Sequence, residues 1–191
     1  YELEDFSIER DKKADTGIIP FIKEALKRQP NMKFWASPWT PPSWIKTSKK
    51  LTGSGDGNPE PRIEYTEENM EFYAKYFRKF IEAYRAEGIN ISMVSPQNEP
   101  TMNTAYTSCV WTGQQLCDFI RDHLGPEMKK LGVEVYLGTF TESSDNMMDP
   151  TLNDPEARQY LSGITFQWWS YVKARSLYNS GFELGMMQSE T

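Results

Sequence analysis

Short apolar runs along the chain alternate with longer stretches in which apolar residues recur every three or four positions. That alternation predicts β-strands separated by amphipathic helices. The first helical pattern runs through Ile18, Ile19, Phe21, Ile22, Ala25 and Leu26, with Pro20 in its first turn, where a missing N–H costs little, and Pro30 beyond its end. A strand over 32–37 follows, then a loop rich in Pro, Ser and Gly from Pro38 to Glu64. Thr66 caps the clearest helix, on which Met70, Tyr73, Ala74, Phe77, Phe80, Ile81 and Tyr84 share one face, and Gly88 ends it. The run 91–95 reads as a strand leading into Pro96-Gln97-Asn98-Glu99-Pro100. Thr112 opens a helix carrying Leu116, Phe119, Ile120 and Leu124, and 133–137 is the next strand. Asp154 with Pro155 starts a short helix, 164–168 is strand-like, a helical stretch through Val172, Ala174 and Leu177 ends near Gly181, and 184–189 forms a last strand.

Strands separated by helices and loops imply an α/β fold with a parallel sheet, either doubly wound or part of a closed barrel. A doubly wound dinucleotide-type sheet calls for a Gly-rich turn leading from an early strand into a helix. The densest glycines, Gly53, Gly55 and Gly57, lie inside a loop instead. A (β/α)₈ barrel gathers polar and catalytic residues at the C-terminal ends of its strands. Ser37-Pro38-Trp39, Asn98-Glu99-Pro100, Gln167-Trp168-Trp169 and Gln188-Ser189-Glu190 all follow that rule. The expected fold is a partial (β/α)₈ TIM barrel of about five parallel strands spanning residues 1–191.

Composition narrows the chemistry. The net charge of −6 disfavours a nucleic-acid partner, and Lys46, Lys49 and Lys50 read as a solvated loop. No apolar run is long enough for a transmembrane segment, and the first residues show no signal sequence. Cys109 and Cys117 read as two thiols near a helix start rather than a disulfide framework. The single histidine, His123, makes a His-rich metal site implausible and reads as a residue capping a helix end, so neither metal nor cofactor is expected. Aromatic residues make up 14% of the chain, more than a core alone requires, and flat aromatic faces suit sugar rings. The chemistry then falls to carboxylates. Cleaving a glycosidic bond needs a proton on the leaving oxygen and negative charge beneath the anomeric carbon. Two carboxyl groups supply both, with retention at a separation of roughly 5–5.5 Å and inversion at roughly 6.5–9.5 Å. Glu99 and Glu190 are the glutamates that directly follow predicted strands.

Several segments together resemble glycoside hydrolase family 30, the glucosylceramidase-like family of the clan A barrels. Phe34-Trp-Ala-Ser-Pro-Trp-Thr-Pro-Pro-Ser-Trp-Ile-Lys-Thr47 resembles that family's third strand and following loop, and Val94-Ser-Pro-Gln-Asn-Glu-Pro100 its fourth. Asp118-Phe-Ile-Arg-Asp-His-Leu-Gly-Pro126 is similar to the next helix, and Met187-Gln-Ser-Glu-Thr191 to the seventh strand. Asp5-Phe-Ser-Ile8 fits the loop after the second. The resemblance implies a retaining β-glycosidase acting on β-linked glucosides, oligosaccharides or glycolipids. In it Glu99 is the acid/base, Glu190 the nucleophile, and Asn98 the partner of the sugar 2-hydroxyl, while ionised Glu190 keeps Glu99 protonated. Trp39, Trp44 and Trp169 are expected to line the sugar, with Gln167 a further contact, whereas Trp35 and Trp168 read as packing. The same resemblance implies that strands one, two and eight and an accessory β-sandwich belong to the rest of a parent chain, secreted or lysosomal. The alternative function is that of a truncated sugar-binding or structural piece without turnover. A metal-dependent hydrolase is a third, which the lone His123 disfavours.

Overall fold

Five strands hydrogen-bond side by side in the order in which the chain visits them, and every pairing is parallel. They are β1 (Phe34–Ala36), β2 (Ile91–Val94), β3 (Glu134–Phe140), β4 (Leu161–Gln167) and β5 (Gly185–Glu190). The molecule was analysed as a computed structural model, in which residues 3–54, 60–141, 145–170, 175 and 177–191 are described, apart from the side chains of Asp145 and Trp169. The predicted helical residues Val172 and Ala174 lie outside the described residues. A doubly wound sheet reverses its strand order at a switch point, whereas a (β/α)₈ barrel adds strands in sequence. The observed order never reverses, so the sheet is a curled five-strand piece of a barrel.

Parallel neighbours need crossovers: α2 (Glu67–Ala86) joins β1 to β2, α3 (Gly113–Phe119) and α4 (Gly125–Leu131) join β2 to β3, and α5 (Asp145–Asn153) and α6 (Pro155–Arg158) join β3 to β4, while α1 (Ile18–Arg28) precedes β1. Thr66 caps α2 by accepting from the Asn69 N–H, and Thr112 with Gln115 forms a reciprocal capping box on α3. The core lies between α2, α3 and the sheet. Tyr73 stacks on Phe119 with ring centroids 5.5 Å apart, and Met70, Phe77, Ile81, Val94, Leu116, Val135 and Ile164 fill the space around them.

Four expectations change. A π-turn over Ile120–Leu124 joins α3 to α4, with the Gly125 N–H donating to the Ile120 carbonyl five residues back. Pro126 has no N–H for its own turn, and the widened turn carries the helix past it. His123 is therefore buried at mid-helix beside Phe119 instead of capping an end. Lys46 is not solvated. It is fully buried, and its Nζ donates to Thr40 Oγ1 at 2.9 Å and to the carbonyls of Leu51 and Ser108 at 2.8 and 2.7 Å, which pins the loop after β1. Strand β3 runs past Leu137 to Phe140, because Gly138, at φ +125° and against Thr165, lets the chain cross where a Cβ would sit 2.6 Å from the Thr165 carbonyl oxygen. Trp168 stands outside β4 in a short 3₁₀ turn at φ +49° and is 42% exposed, so it is not a packing residue. Both thiols are free and buried.

Candidate active site

The end of β2 is threaded between its neighbours. On one side the Ser95 N–H donates to the Ala36 carbonyl and the Asn98 N–H to that of Pro38. On the other, the Thr139 N–H donates to the Gln97 carbonyl at 2.7 Å and the Glu99 N–H to that of Thr139 at 3.0 Å. Gln97 is fully buried. Its Nε2 donates to the Trp39 and Asn98 carbonyls, and its Oε1 accepts from the indole of the buried Trp111. This amide therefore fixes the turn that presents Asn98 and Glu99. Glu99 itself is held at φ +48°, left-handed for a residue with a side chain, and such strain persists only where the surroundings over-determine it.

The buried ends of three strands meet in one polar cluster. Gln167, at the tip of β4, donates from Nε2 to Asn98 Oδ1 at 2.6 Å, to Thr139 Oγ1 at 2.7 Å and to Glu190 Oε1 at 3.1 Å. Thr139 Oγ1 in turn donates to Asn98 Oδ1 at 2.7 Å. Asn98, Thr139 and Gln167 are all buried, while Glu99 and Glu190 are partly open to the mouth of the sheet. Burial raises the Glu99 carboxyl above its ordinary value, and the negative charge of Glu190 adds to the rise. The charge of Glu190, on β5, thus reaches Glu99 at the end of β2. Desolvation is the larger cause, where sequence reasoning offered charge coupling alone.

The tryptophans divide. Trp39 stays beside the cluster through the bond from Gln97, is 43% exposed, and lies 5.6 Å from the Tyr106 ring. Trp44 is exposed, lies 6.1 Å from Phe72 of α2, and lines a cleft of about 280 Å³ with Leu3, Asp5, Phe6, Ser7 and Tyr76. The side chain of Trp169 lies outside the described residues. Trp35, half-buried, donates its indole N–H to Ser95 Oγ. An apolar cavity of about 250 Å³ between β1, β2 and α2 is lined by Ala36, Tyr73, Phe77 and Val94 and holds no carboxylate. The carboxylates instead line an open face, as expected where an incomplete ring of strands leaves the mouth unwalled. No cluster of His, Cys, Asp and Glu able to hold a metal occurs among the described residues. No helix among them is long and apolar enough to cross a membrane.

Sequence reasoning missed Gln97, Thr139 and Trp111. Gln97 was in view beside Asn98, yet nothing in the sequence distinguished a buried amide from a turn residue. Thr139 lies beyond the strand predicted over 133–137, and its place in the cluster depends on the extension of β3.

A profile of the glycosyl hydrolase family 30 TIM-barrel domain matches residues 1–181. The lysosomal acid glucosylceramidase of Mus musculus is 33% identical over 178 residues, an overlap covering 88% of this chain and 33% of that protein. An endo-1,6-beta-D-glucanase of Neurospora crassa is 24% identical over 159 residues, covering 83% of this chain and 32% of that one. Among solved structures, an endo-beta1,6-glucanase superposes with a TM-score of 0.86 at 26% identity, covering 100% of this chain and 43% of its own. The chain spans about a third of the length of the curated relatives it matches.

Proposed function

Since the chain belongs to glycosyl hydrolase family 30, we propose that it carries the two catalytic carboxylates of a retaining β-glycosidase. Glu99 is the acid/base and Glu190 the nucleophile. The observation that carries this reading is the shared cluster at the strand ends, in which Gln167 touches both Asn98 and Glu190 while Glu190 raises the neighbouring Glu99. Burial and then the like charge of Glu190 both raise the Glu99 pKa, which favours the protonated form that can give its proton to a leaving oxygen. Glu190 then attacks the anomeric carbon, the leaving oxygen departs with the Glu99 proton, and a glycosyl ester forms on Glu190. Esterification removes the Glu190 charge, so Glu99 becomes the better base and activates the water that releases the sugar. Asn98 is the donor to the sugar 2-hydroxyl oxygen, and Trp39 and Trp169 are stacking faces. Trp44 is a further stacking face, on the cleft it shares with Leu3, Asp5, Phe6 and Ser7.

The substrate class is a β-linked glucoside, either an oligosaccharide or a glycolipid, as the names of the glucosylceramidase and glucanase relatives indicate for those proteins. The parent acts outside the cell or in a lysosome. Its remaining barrel strands and a β-sandwich flank the sheet at the free edges of β1 and β5. Those edges favour a second reading for the isolated chain, a sugar-binding or structural piece without turnover. Assaying the chain and its parent side by side on an aryl β-glucoside separates the two readings. In the parent, Glu190→Gly is expected to abolish turnover, and azide to restore it with the product inverted at the anomeric carbon. Rescue failing while activity persists would remove Glu190 from the nucleophile's place.

A further inference from the structure

An amide side chain has a donor end and an acceptor end, and which end faces a ligand is decided by its other neighbours. Ionised Glu190 offers only acceptors. The Gln167 amide beside it therefore points Nε2 inward, since the reverse orientation would set Gln167 Oε1 against Glu190 Oε1 across 3.1 Å with no proton between them. Gln167 Nε2 also faces Thr139 Oγ1 and Asn98 Oδ1. The Thr139 hydroxyl accepts from Gln167 and spends its single proton on Asn98 Oδ1 at 2.7 Å. Both donors thus converge on the oxygen of Asn98, and its Nδ2 meets no acceptor among the described residues. The network has a cost that underlines its direction: Gln167 Oε1 is buried and has no partner among the described residues. That end of the amide is left unpaired while the two N–H groups of the other end are shared among three acceptors.

We propose that Thr139 and Gln167 are positioning residues that pass the acceptor-only character of Glu190 through to Asn98, committing the Asn98 amide to donate to the sugar 2-hydroxyl oxygen. The proposal rests on the glycosidase reading above. The backbone makes Thr139 suited to the task, because its N–H and C=O hold Gln97 and Glu99 on either side of Asn98. The polarity survives the reaction, since a glycosyl ester on Glu190 is still only an acceptor.

Thr139→Val in the parent keeps the shape and removes the hydroxyl. It is expected to lower kcat about tenfold on an aryl β-glucoside, the size of one hydrogen bond, while changing the rate on the matching 2-deoxyglucoside less than about twofold. Thr139→Ser, which restores a hydroxyl, is expected to regain most of the loss. The Thr139→Val, Gln167→Met double variant is expected to lose less than the product of the two single losses, because both substitutions cut one chain of bonds. An equal loss on both substrates would assign Thr139 a merely structural role and overturn the proposal, as would no loss on either. A parent inactive on every β-glucoside tested would sink the glycosidase reading and this inference with it. An active parent whose Thr139→Val loss ignores the 2-hydroxyl would sink the inference alone.

Discussion

Glu99 combines three constraints that rarely coincide on one side chain: a left-handed backbone, partial burial and a like charge nearby. Its raised pKa has burial as the first cause and Glu190 as the second, and these can be separated. Glu190→Gln removes the charge and leaves the burial, so the Glu99 titration followed by carbon-detected NMR is expected to move down yet stay above the ordinary carboxylate value. A titration that does not move would mean that the two carboxylates are uncoupled. In the proposed acid role Glu99 acts protonated, so kcat/KM of the parent is expected to fall as pH rises through that raised pKa. At this scale the sequence revealed the residues that end strands. Asn98, Glu99, Gln167 and Glu190 were legible because a barrel puts functional groups at strand tips. Thr139 and Gln97 were not, since a threonine after a glycine and a glutamine before an asparagine carry no local mark of being buried.

The helix after β2 shows what periodicity misses. The apolar spacing through Leu116, Phe119, Ile120 and Leu124 predicted a helix that ends where Gly125 and Pro126 stand, yet the chain continues to Leu131 through the π-turn. A five-residue hydrogen-bond step is a backbone feature that shifts the helical phase by about one residue, and over so short a stretch the apolar spacing does not distinguish it from a helix end. Gly125 is the residue that permits the arrangement. A Cβ there would sit 2.4 Å from the Tyr160 ring and 2.5 Å from the Ile120 carbonyl oxygen, which already accepts the Gly125 N–H. Gly125→Ala is expected to destabilise the parent by roughly 1–3 kcal/mol, the usual cost of overpacking, read from the denaturation midpoint. An unchanged midpoint would show that the ring and turn shift freely. Helix α5 escaped prediction for a related reason. Pro150 sits inside it, and its first residues lack a continuous apolar stripe.

Across the whole molecule, β3 and β4 are buried along nearly their full length, whereas β5 is mostly open and β1 only half-covered. A parallel sheet buried in the middle and bare at its rims needs further strands, and unpaired edges pair with whatever strand they meet. The isolated chain is therefore expected to self-associate, with a light-scattering mass above that of one chain. A clean monomer of normal stability would show that the edges are protected. The sequence by itself determined the alternation of strand and helix, the barrel class and the placing of two glutamates at strand ends, because hydrophobic period and strand-end chemistry are local properties of the chain. Only the tertiary structure decided that Lys46 is buried, that His123 lies at mid-helix, and that Trp44 packs near Phe72 of α2. It also decided that Glu190 reaches Asn98 through Gln167 and Thr139. Those outcomes depend on which strand ends become neighbours across the sheet, and hydrogen bonds between residues dozens of positions apart leave no periodic trace in the order of amino acids.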